Sequence, residues 1–371
     1  MTLDIAWAQA ANLSEVPSPA LLLGLEPIQR NLRAMIRVAG DPARLRPHVK
    51  THKMGWLVAR QMALGITRFK CATIAEAEMC ALAGAPDVLL AFQPVGPNVR
   101  RLLALRDTFS GTKFSTIVDD AGALRALSRA AAAAGGRLEV LVDMDVGQHR
   151  TGIAPGPGAV ALYRELAGAP GLIAGGLHAY DGHLSQSDPA ARAAACEEAF
   201  APVRSLRQEL LALGLAVARV VAGGSPTFPM HAARRDVECS PGTTVFWDAS
   251  YAGKLPDLDF QTAAVLLTRV VSKPGPERLC LDLGHKAVAS EMPPPRVVFP
   301  SLPDARFVTH SEEHLVLESA AAPGFALGAE LLGVPWHVCP TVALHAQATL
   351  LERGLVAGSC PIEARARMIT L

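Results

Sequence analysis

The chain has 371 residues, half of them hydrophobic, which is enough apolar material for one large domain and a smaller one. Lys+Arg 35 against Asp+Glu 34 leaves a formal charge of +1, and no basic run interleaves with aromatics. A nucleic-acid surface is thereby excluded, and a small-molecule ligand is expected. No run of about 18 apolar residues and no basic-then-apolar N-terminal leader is present, so a soluble cytoplasmic protein without membrane contact is predicted. The cysteines number 7, an odd count without a C-x-x-C pair, as expected of free thiols in a reducing compartment.

In chain order, apolar β-branched runs alternate with Ala/Leu/Arg-rich stretches of helical character. Strands are predicted over 44–51, 68–73, 88–93, 113–118, 138–146, 172–180, 218–223 and 237–245. Helices are predicted near 27–40, 55–65, 75–84, 97–107, 120–134, 158–167 and 189–214, with short Gly/Pro/Asp connections. Eight such units predict an α/β fold, a (β/α)8 TIM barrel over 25–254. Beyond 255 the texture changes to strands over 260–272, 277–282, 306–309, 314–318 and 333–338, joined by Pro-rich links and with no long helix before the final turns. This predicts a second, mostly β domain formed by 255–371 together with 1–24, in which 17–23 contributes a strand.

Side chains alternate across a strand, so Arg46, His48 and Lys50 share one face and Leu45, Pro47 and Val49 the other. The apolar face meets the helices, which turns the basic face into the barrel, where an unpartnered polar group costs roughly 2–7 kcal/mol. A lysine at a strand end is ordinarily a surface residue, but this grouping favours a site. Lys53 falls on the opposite face, leaving Lys50 as the nucleophile candidate, because a partly desolvated lysine among cations loses its proton readily. The same phase groups Glu139, Leu141, Asp143 and Asp145 on the fifth strand, and Gly176, His178 and Tyr180 on the sixth. These polar residues lie toward strand C-terminal ends, where barrel enzymes carry their chemistry.

Two loops carry the composition of a phosphate cradle: Gly223, Gly224, Ser225, Pro226 and Thr227 after the seventh strand, and Ser240, Pro241, Gly242, Thr243 and Thr244 at the eighth. Such clusters are usually plain turns; their joint position gives them weight. His337 and Cys339, at i and i+2 of a predicted strand, put an imidazole and a thiol on one face, within reach of one zinc-like ion. Two protein ligands would leave an ion open to water and substrate, which suits catalysis.

Together these segments resemble the D-threonine aldolase and D-serine dehydratase family, relatives of the alanine racemase barrel among the fold-type III pyridoxal-phosphate enzymes. The resemblance spans roughly residues 15 to 350. It is carried by Arg-Pro-His-Val-Lys-Thr-His-Lys at 46–53, Cys-Ala-Thr-Ile-Ala-Glu-Ala-Glu at 71–78, Asp-Val-Gly-Gln-His-Arg-Thr-Gly at 145–152, Gly-Ser-Pro-Thr at 224–227, Pro-Gly-Thr at 241–243, Ser-Glu-Glu-His at 311–314 and His-Val-Cys-Pro at 337–340. It implies an alanine racemase-like fold in which Lys50 carries pyridoxal 5'-phosphate, and in which Gly224, Ser225, Thr227, Gly242 and Thr243, with Thr244 beside them, hold the phosphate. His337 and Cys339 are implied ligands of a divalent metal (zinc, manganese or magnesium), and a homodimer is implied as the assembly. The chain departs from the family pattern at Thr244, where a Tyr is frequent, and in the run 180–186, where His183 is the one imidazole past the sixth strand.

The implied substrate is a small β-hydroxy-D-amino acid. With His183 as base and the metal beside the β-hydroxyl, Cα–Cβ cleavage of D-threonine gives glycine and acetaldehyde. With Lys50 taking the α-proton instead, D-serine or 3-hydroxy-D-aspartate loses water and yields a 2-oxo acid and ammonia. Arg150 suits a carboxylate or the cofactor ring, and Tyr180 suits a ring contact. Aldolase is the preferred reading and dehydratase the runner-up. A racemase has no use for the metal, and a non-catalytic pyridoxal-phosphate carrier needs no metal ligands.

Overall fold

The computed structural model describes residues 3–371, and its first half follows the alternating pattern of the sequence. In chain order come β1 (Ala20–Gly24), α1 (Leu25–Ala39), α2 (Gly55–Met62), β2 (Arg68–Cys71), α3 (Ile74–Leu82), β3 (Asp87–Leu90), α4 (Pro97–Thr108), β4 (Lys113–Val118), α5 (Ala121–Ala133), β5 (Leu138–Met144), α6 (Pro157–Gly168), β6 (Leu172–Ala179), α7 (Pro189–Ala212), β7 (Arg219–Ala222), α8 (Phe228–Ala232) and β8 (Glu238–Cys239). The helices start where local chemistry satisfies their first amides. Thr73, Asp120 and Asp188 accept from backbone N–H groups of α3, α5 and α7, and proline opens α4, α6 and α7, where a missing N–H costs nothing.

Strands β2 to β8 pair in sequence order as a parallel seven-stranded sheet. The predicted first strand, 44–51, is present only as isolated bridges, Leu45 to Cys239 and His48 to Lys70. Pro47 has no N–H to donate, so the segment bonds alternately to its two neighbours. Arg46 N–H donates to Cys239 O and His48 N–H to Pro241 O, while Lys70 N–H donates to Pro47 O. Both edges of the sheet thus meet on 45–48, and the expected eighth barrel position is filled by this segment rather than by a regular strand. Past it the chain tightens into a 3-10 turn, Val49–Thr51, which carries Lys50.

The interior is filled in layers, as strand alternation requires. Leu89, Ile117, Leu141 and Val221 form a buried apolar cluster. Two residues earlier on β3, β5 and β7 stand Asp87, Glu139 and Arg219, joined in an ionic layer at the strand N-terminal ends. There Arg46 bonds Asp87 and Glu238 at 2.7 Å each, Lys113 bonds Glu139 at 2.6 Å, and Arg219 pairs with Glu139 and with Asp87. Arg46 is therefore inward as expected, but its work is closing the bottom of the barrel. Gly176 of β6, at φ 124°, lies where a Cβ would overlap the Arg219 carbonyl, so the strand can pass there only with glycine.

The remaining elements are α9 (Ala249–Lys254), β9 (Ala264–Gly275), β10 (Arg278–Leu281), β11 (Val297–Val298), β12 (Arg306–His310), β13 (Leu315–Glu318), β14 (Glu330–Pro335), α10 (Val338–Leu344), β15 (Gln347–Glu352) and β16 (Leu355–Pro361). They form a nine-stranded sheet in which β1 lies antiparallel to β9 and parallel to β15. The strand expected from 17–23 thus joins this sheet. The hairpin β15–β16, turning at Arg353 (φ 52°) and Gly354 (φ 73°), was not anticipated by the sequence pattern. Leu22, Val265, Leu267, Val334 and Leu351 belong to its apolar core.

Two compact units result. One holds Met35–Lys50, Met54–Gly242 and Ala366–Leu371; the other holds the described residues up to Ala34, Thr51–Lys53 and Thr243–Arg365. Of the residues expected in the barrel, 25–254, the segments 25–34, 51–53 and 243–254 group with the β-rich unit, and of those expected in the β domain, 366–371 group with the barrel. Among the described residues no helix is long and apolar enough to cross a membrane.

Candidate active site

At the C-terminal end of the barrel strands, cations gather on one aromatic ring. Tyr180 follows β6, and its ring centroid lies 5.4 Å from Lys50 Nζ, 5.4 Å from Lys70 Nζ and 5.1 Å from the Arg150 guanidinium carbon. A ring has two faces, so at least two of these three cations share one. Arg150 is brought there by the loop after β5, which is tied back on itself. Asp145 accepts from the backbone N–H groups of Gly147 and His149 at 3.0 Å each, Thr151 Oγ1 donates to Asp143 Oδ2 at 3.0 Å, and Gly152 N–H donates to Asp119 at 2.7 Å. The sequence-predicted Lys50, Arg150 and Tyr180 are therefore together, and Lys70 joins them unpredicted.

Beside this group Asp143 Oδ1 accepts from His178 Nδ1 at 2.6 Å. Burial drives the His178 pKa below the ordinary histidine value despite the carboxylate, so the ring is neutral. Its Nε2 is then a bare acceptor, buried and, among the described residues, without a hydrogen-bond partner. Asp143, Gln148, Arg150, His178 and Tyr180 line one small cleft. A buried acceptor without a donor and several cations without an anion fit a polar, anionic group such as a phosphorylated pyridine aldehyde.

The first phosphate-type loop is built as a turn around Asp181. Thr227 Oγ1 donates to Asp181 Oδ1 at 2.7 Å and accepts from Gly224 N–H at 3.3 Å, so this fully buried hydroxyl orders the turn from within. His231 Nε2 lies 2.7 Å from Asp181 Oδ2, and Cys196 Sγ lies 3.5 Å from the same nitrogen. Asp181, Cys196 and His231 have the donor types of a metal centre and lie within 4.8 Å of one another. The Arg234 guanidinium, however, stands 3.1 Å from His231 Nδ1 and 3.7 Å from Cys196 Sγ, and a second cation there would be repelled. This cluster supports the turn. The two loops are joined where Gly242 N–H donates to Ser225 Oγ at 3.1 Å. In the chain after Gly242, the Thr244 hydroxyl is buried and, among the described residues, has no hydrogen-bond partner.

The predicted metal pair lies in the β-rich unit, and its local structure differs from expectation. Strand β14 stops at Pro335, and His337 is the residue that begins α10, with Cys339 in its first turn and Pro340 after it. Proline in a first helical turn is favourable, which ends the strand before the pair. The two side chains still hydrogen-bond each other. His337 Nδ1 is 2.5 Å from Glu291, while Cys339 Sγ donates to Thr51 Oγ1 at 3.3 Å and sits 3.5 Å from Thr243 Oγ1. Burial opposes a charge on His337, yet Cys339 and Glu291 raise its pKa to about 9. Asp248 fixes the turn by accepting from Val338 N–H at 3.0 Å and from Tyr251 N–H at 3.0 Å. Adjacent nitrogen and sulfur donors, with a carboxylate holding the other ring nitrogen, fit a borderline-soft divalent ion.

His183 sits in an exposed turn past β6, with its Nε2 3.4 Å from where a Cβ on Gly147 would be. It therefore stands over the loop that carries Arg150. Sequence reasoning missed Lys70, Glu291 and Asp248, and grouped His178 with Tyr180 without giving it a role. Lys70 and His178 had a signal: each is polar at an inward strand position.

A profile of the alanine racemase N-terminal domain matches residues 23–249, and one of a serine dehydratase domain matches 263–351. The chain belongs to the alanine racemase N-terminal-domain family. Within that family's wider relations, a D-threonine aldolase of Arthrobacter sp. is 34% identical over 361 residues, covering 95% of this chain and 94% of the relative. Among solved structures, a D-threonine aldolase from Filomicrobium marinum superposes with a TM-score of 0.89 at 32% identity, covering 95% of this chain and 97% of that one. A D-threo-3-hydroxyaspartate dehydratase from Delftia sp. HT23 follows at 0.83 and 26%, covering 94% and 98%. The alanine racemase-like fold expected from the sequence is thus the fold present.

Proposed function

We propose that this protein is a pyridoxal 5'-phosphate- and divalent-metal-dependent lyase of small β-hydroxy-D-amino acids, and that its reaction is cleavage of D-threonine to glycine and acetaldehyde. The observation that carries the reading is Lys50 and Arg150 on the Tyr180 ring at the barrel mouth, in a chain 34% identical to a D-threonine aldolase along 95% of its length. The cofactor, when bound, supplies a conjugated ring that accepts electrons from a bond at Cα, and a divalent ion supplies Lewis acidity toward a hydroxyl.

In this reading Lys50 holds the cofactor, and Gly224, Ser225, Gly242 and Thr243 surround its phosphate. The Ser225 and Thr243 hydroxyls donate to it, while the Gly224 and Gly242 N–H groups hold the turns. Thr227 acts one step back, by shaping the turn. His337 and Cys339 hold the ion, and Glu291 orients His337. Arg150 takes the substrate carboxylate, because a planar guanidinium matches it in two hydrogen bonds. His183 removes the proton of the β-hydroxyl. Dehydration is the second reading, supported by the serine dehydratase profile over 263–351 and by the Delftia relative. There Lys50 takes the α-proton, and His183 has no step to perform.

Incubation with D-threonine, D-serine and 3-hydroxy-D-aspartate, with and without EDTA, followed by assay of aldehyde, 2-oxo acid and ammonia, separates the two. Acetaldehyde from D-threonine, abolished by chelation and lowered about 100-fold or more in His183→Asn, is the expected result. Ammonia and a 2-oxo acid in place of aldehyde would establish the second reading. Full activity of Cys339→Ala would remove the metal assignment.

A further inference from the structure

Lys70 is the least exposed lysine of the site, at 1%. It projects from β2 into the barrel, and its backbone bridges to His48, two residues before Lys50. Among the described residues its ammonium has no hydrogen bond or ion pair, only the Tyr180 ring that it shares with Lys50. The carboxylates closest in influence are already committed: Asp143 to His178 and Thr151, Asp181 to His231 and Thr227. A buried charge held by a ring alone is costly, so the amine is better kept uncharged.

We propose, building on the reading of Lys50 as the cofactor lysine, that Lys70 is a positioning residue that acts through Lys50, by accepting the proton that the Lys50 amine must shed before it can bond to a carbonyl carbon. The groups facing Lys70 make this consistent. Burial and the Lys50 charge lower its pKa, with Arg46 adding to them, and Asp181 and Asp143 oppose; the amine ends at about 7. His178 of β6 and Arg150 of the loop after β5 add no negative charge. Near neutral pH the Lys70 amine is then without its proton in about half of the molecules and can take one from Lys50. The step balances simply. The proton passes from Lys50 Nζ to Lys70 Nζ, the Lys50 lone pair forms the new C–N bond with the cofactor's aldehyde, and the aldehyde oxygen leaves as water.

The test is capture of pyridoxal 5'-phosphate by cofactor-free protein, followed by absorbance from about pH 6 to 10, with borohydride fixation and peptide mapping to locate the label. In the wild type the capture rate is expected to rise through a one-proton step near pH 7. Lys70→Met is expected to lose that step, with capture at pH 7 slowed at least about tenfold and recovering at alkaline pH. Lys70→Arg keeps a cation but offers no base, and is expected to be as slow as Lys70→Met at pH 7. Wild-type speed in Lys70→Arg would mean that Lys70 acts only as a charge and would overturn the proposal. So would an unchanged pH profile in Lys70→Met, or a wild-type rate with no step near neutrality, which needs no variant to fold. A wild-type label on a lysine other than Lys50 would instead overturn the cofactor reading itself.

Discussion

Asp248 shows how a single carboxylate can fix the placement of two side chains that it does not itself touch. It is fully buried, and burial raises its pKa to about 6 even though it accepts from two backbone amides. One of those amides, Val338, lies between His337 and Cys339 in the chain, so the carboxylate fixes the turn on which both donors depend. Asp248→Ala is expected to weaken zinc binding about 10- to 100-fold in a chelator competition, as loss of an outer-shell anchor does. Unchanged zinc affinity would show that α10 holds the pair unaided. From the sequence, the proposed donor pair could be picked out because imidazole and thiol sit so close together. Its anchor could not, because 90 residues separate Asp248 from Val338 and no local pattern links them.

At the scale of elements, alternation placed the chemistry more reliably than it placed the boundaries. It turned Arg46 inward correctly, onto Asp87 and Glu238, and His48 is buried. It failed to foresee that Pro47 would break the ladder and that 49–51 would curl into a turn, or that Pro335 and Pro340 would place His337 at a helix start. Lys70 was readable by the same rule on β2, but a run of only four strand residues offers too short a pattern to stand out. The bulge between β5 and β6 was invisible, since it depends on Gly176 approaching β7 across the sheet. Gly176→Ala is expected to destabilise the protein by about 3 kcal/mol or more, because its Cβ would meet backbone rather than a side chain that could move. Thermal unfolding within about 1 °C of the wild type would show that the strand can shift to accept it.

For the molecule as a whole, the division of labour inside the barrel is vertical. Ions at the strand N-terminal ends close it, an apolar layer fills it, and the cleft opens where the strands end. Breaking a buried ion pair from one side is costly. Arg219→Met, which strips a partner from both Asp87 and Glu139, is therefore expected to lower stability by roughly 3 kcal/mol in denaturant unfolding. The same variant is expected to capture the cofactor at the wild-type rate, measured as for Lys70. A parallel loss of both properties would show that the ionic layer also shapes the mouth.

The apolar cluster of Leu89, Ile117, Leu141 and Val221 thus does more than fill space. It sets one layer of aliphatic side chains between the two charged compartments, which offers no polar side-chain atom to either but lets charge be felt across it, as the effect of Arg46 on Lys70 shows. Substitutions at the closed end that keep its charges in place can raise or lower heat tolerance while the open end keeps its acid–base behaviour. A lineage of such barrels is therefore free to adapt to a new temperature and to a new substrate through separate sets of residues.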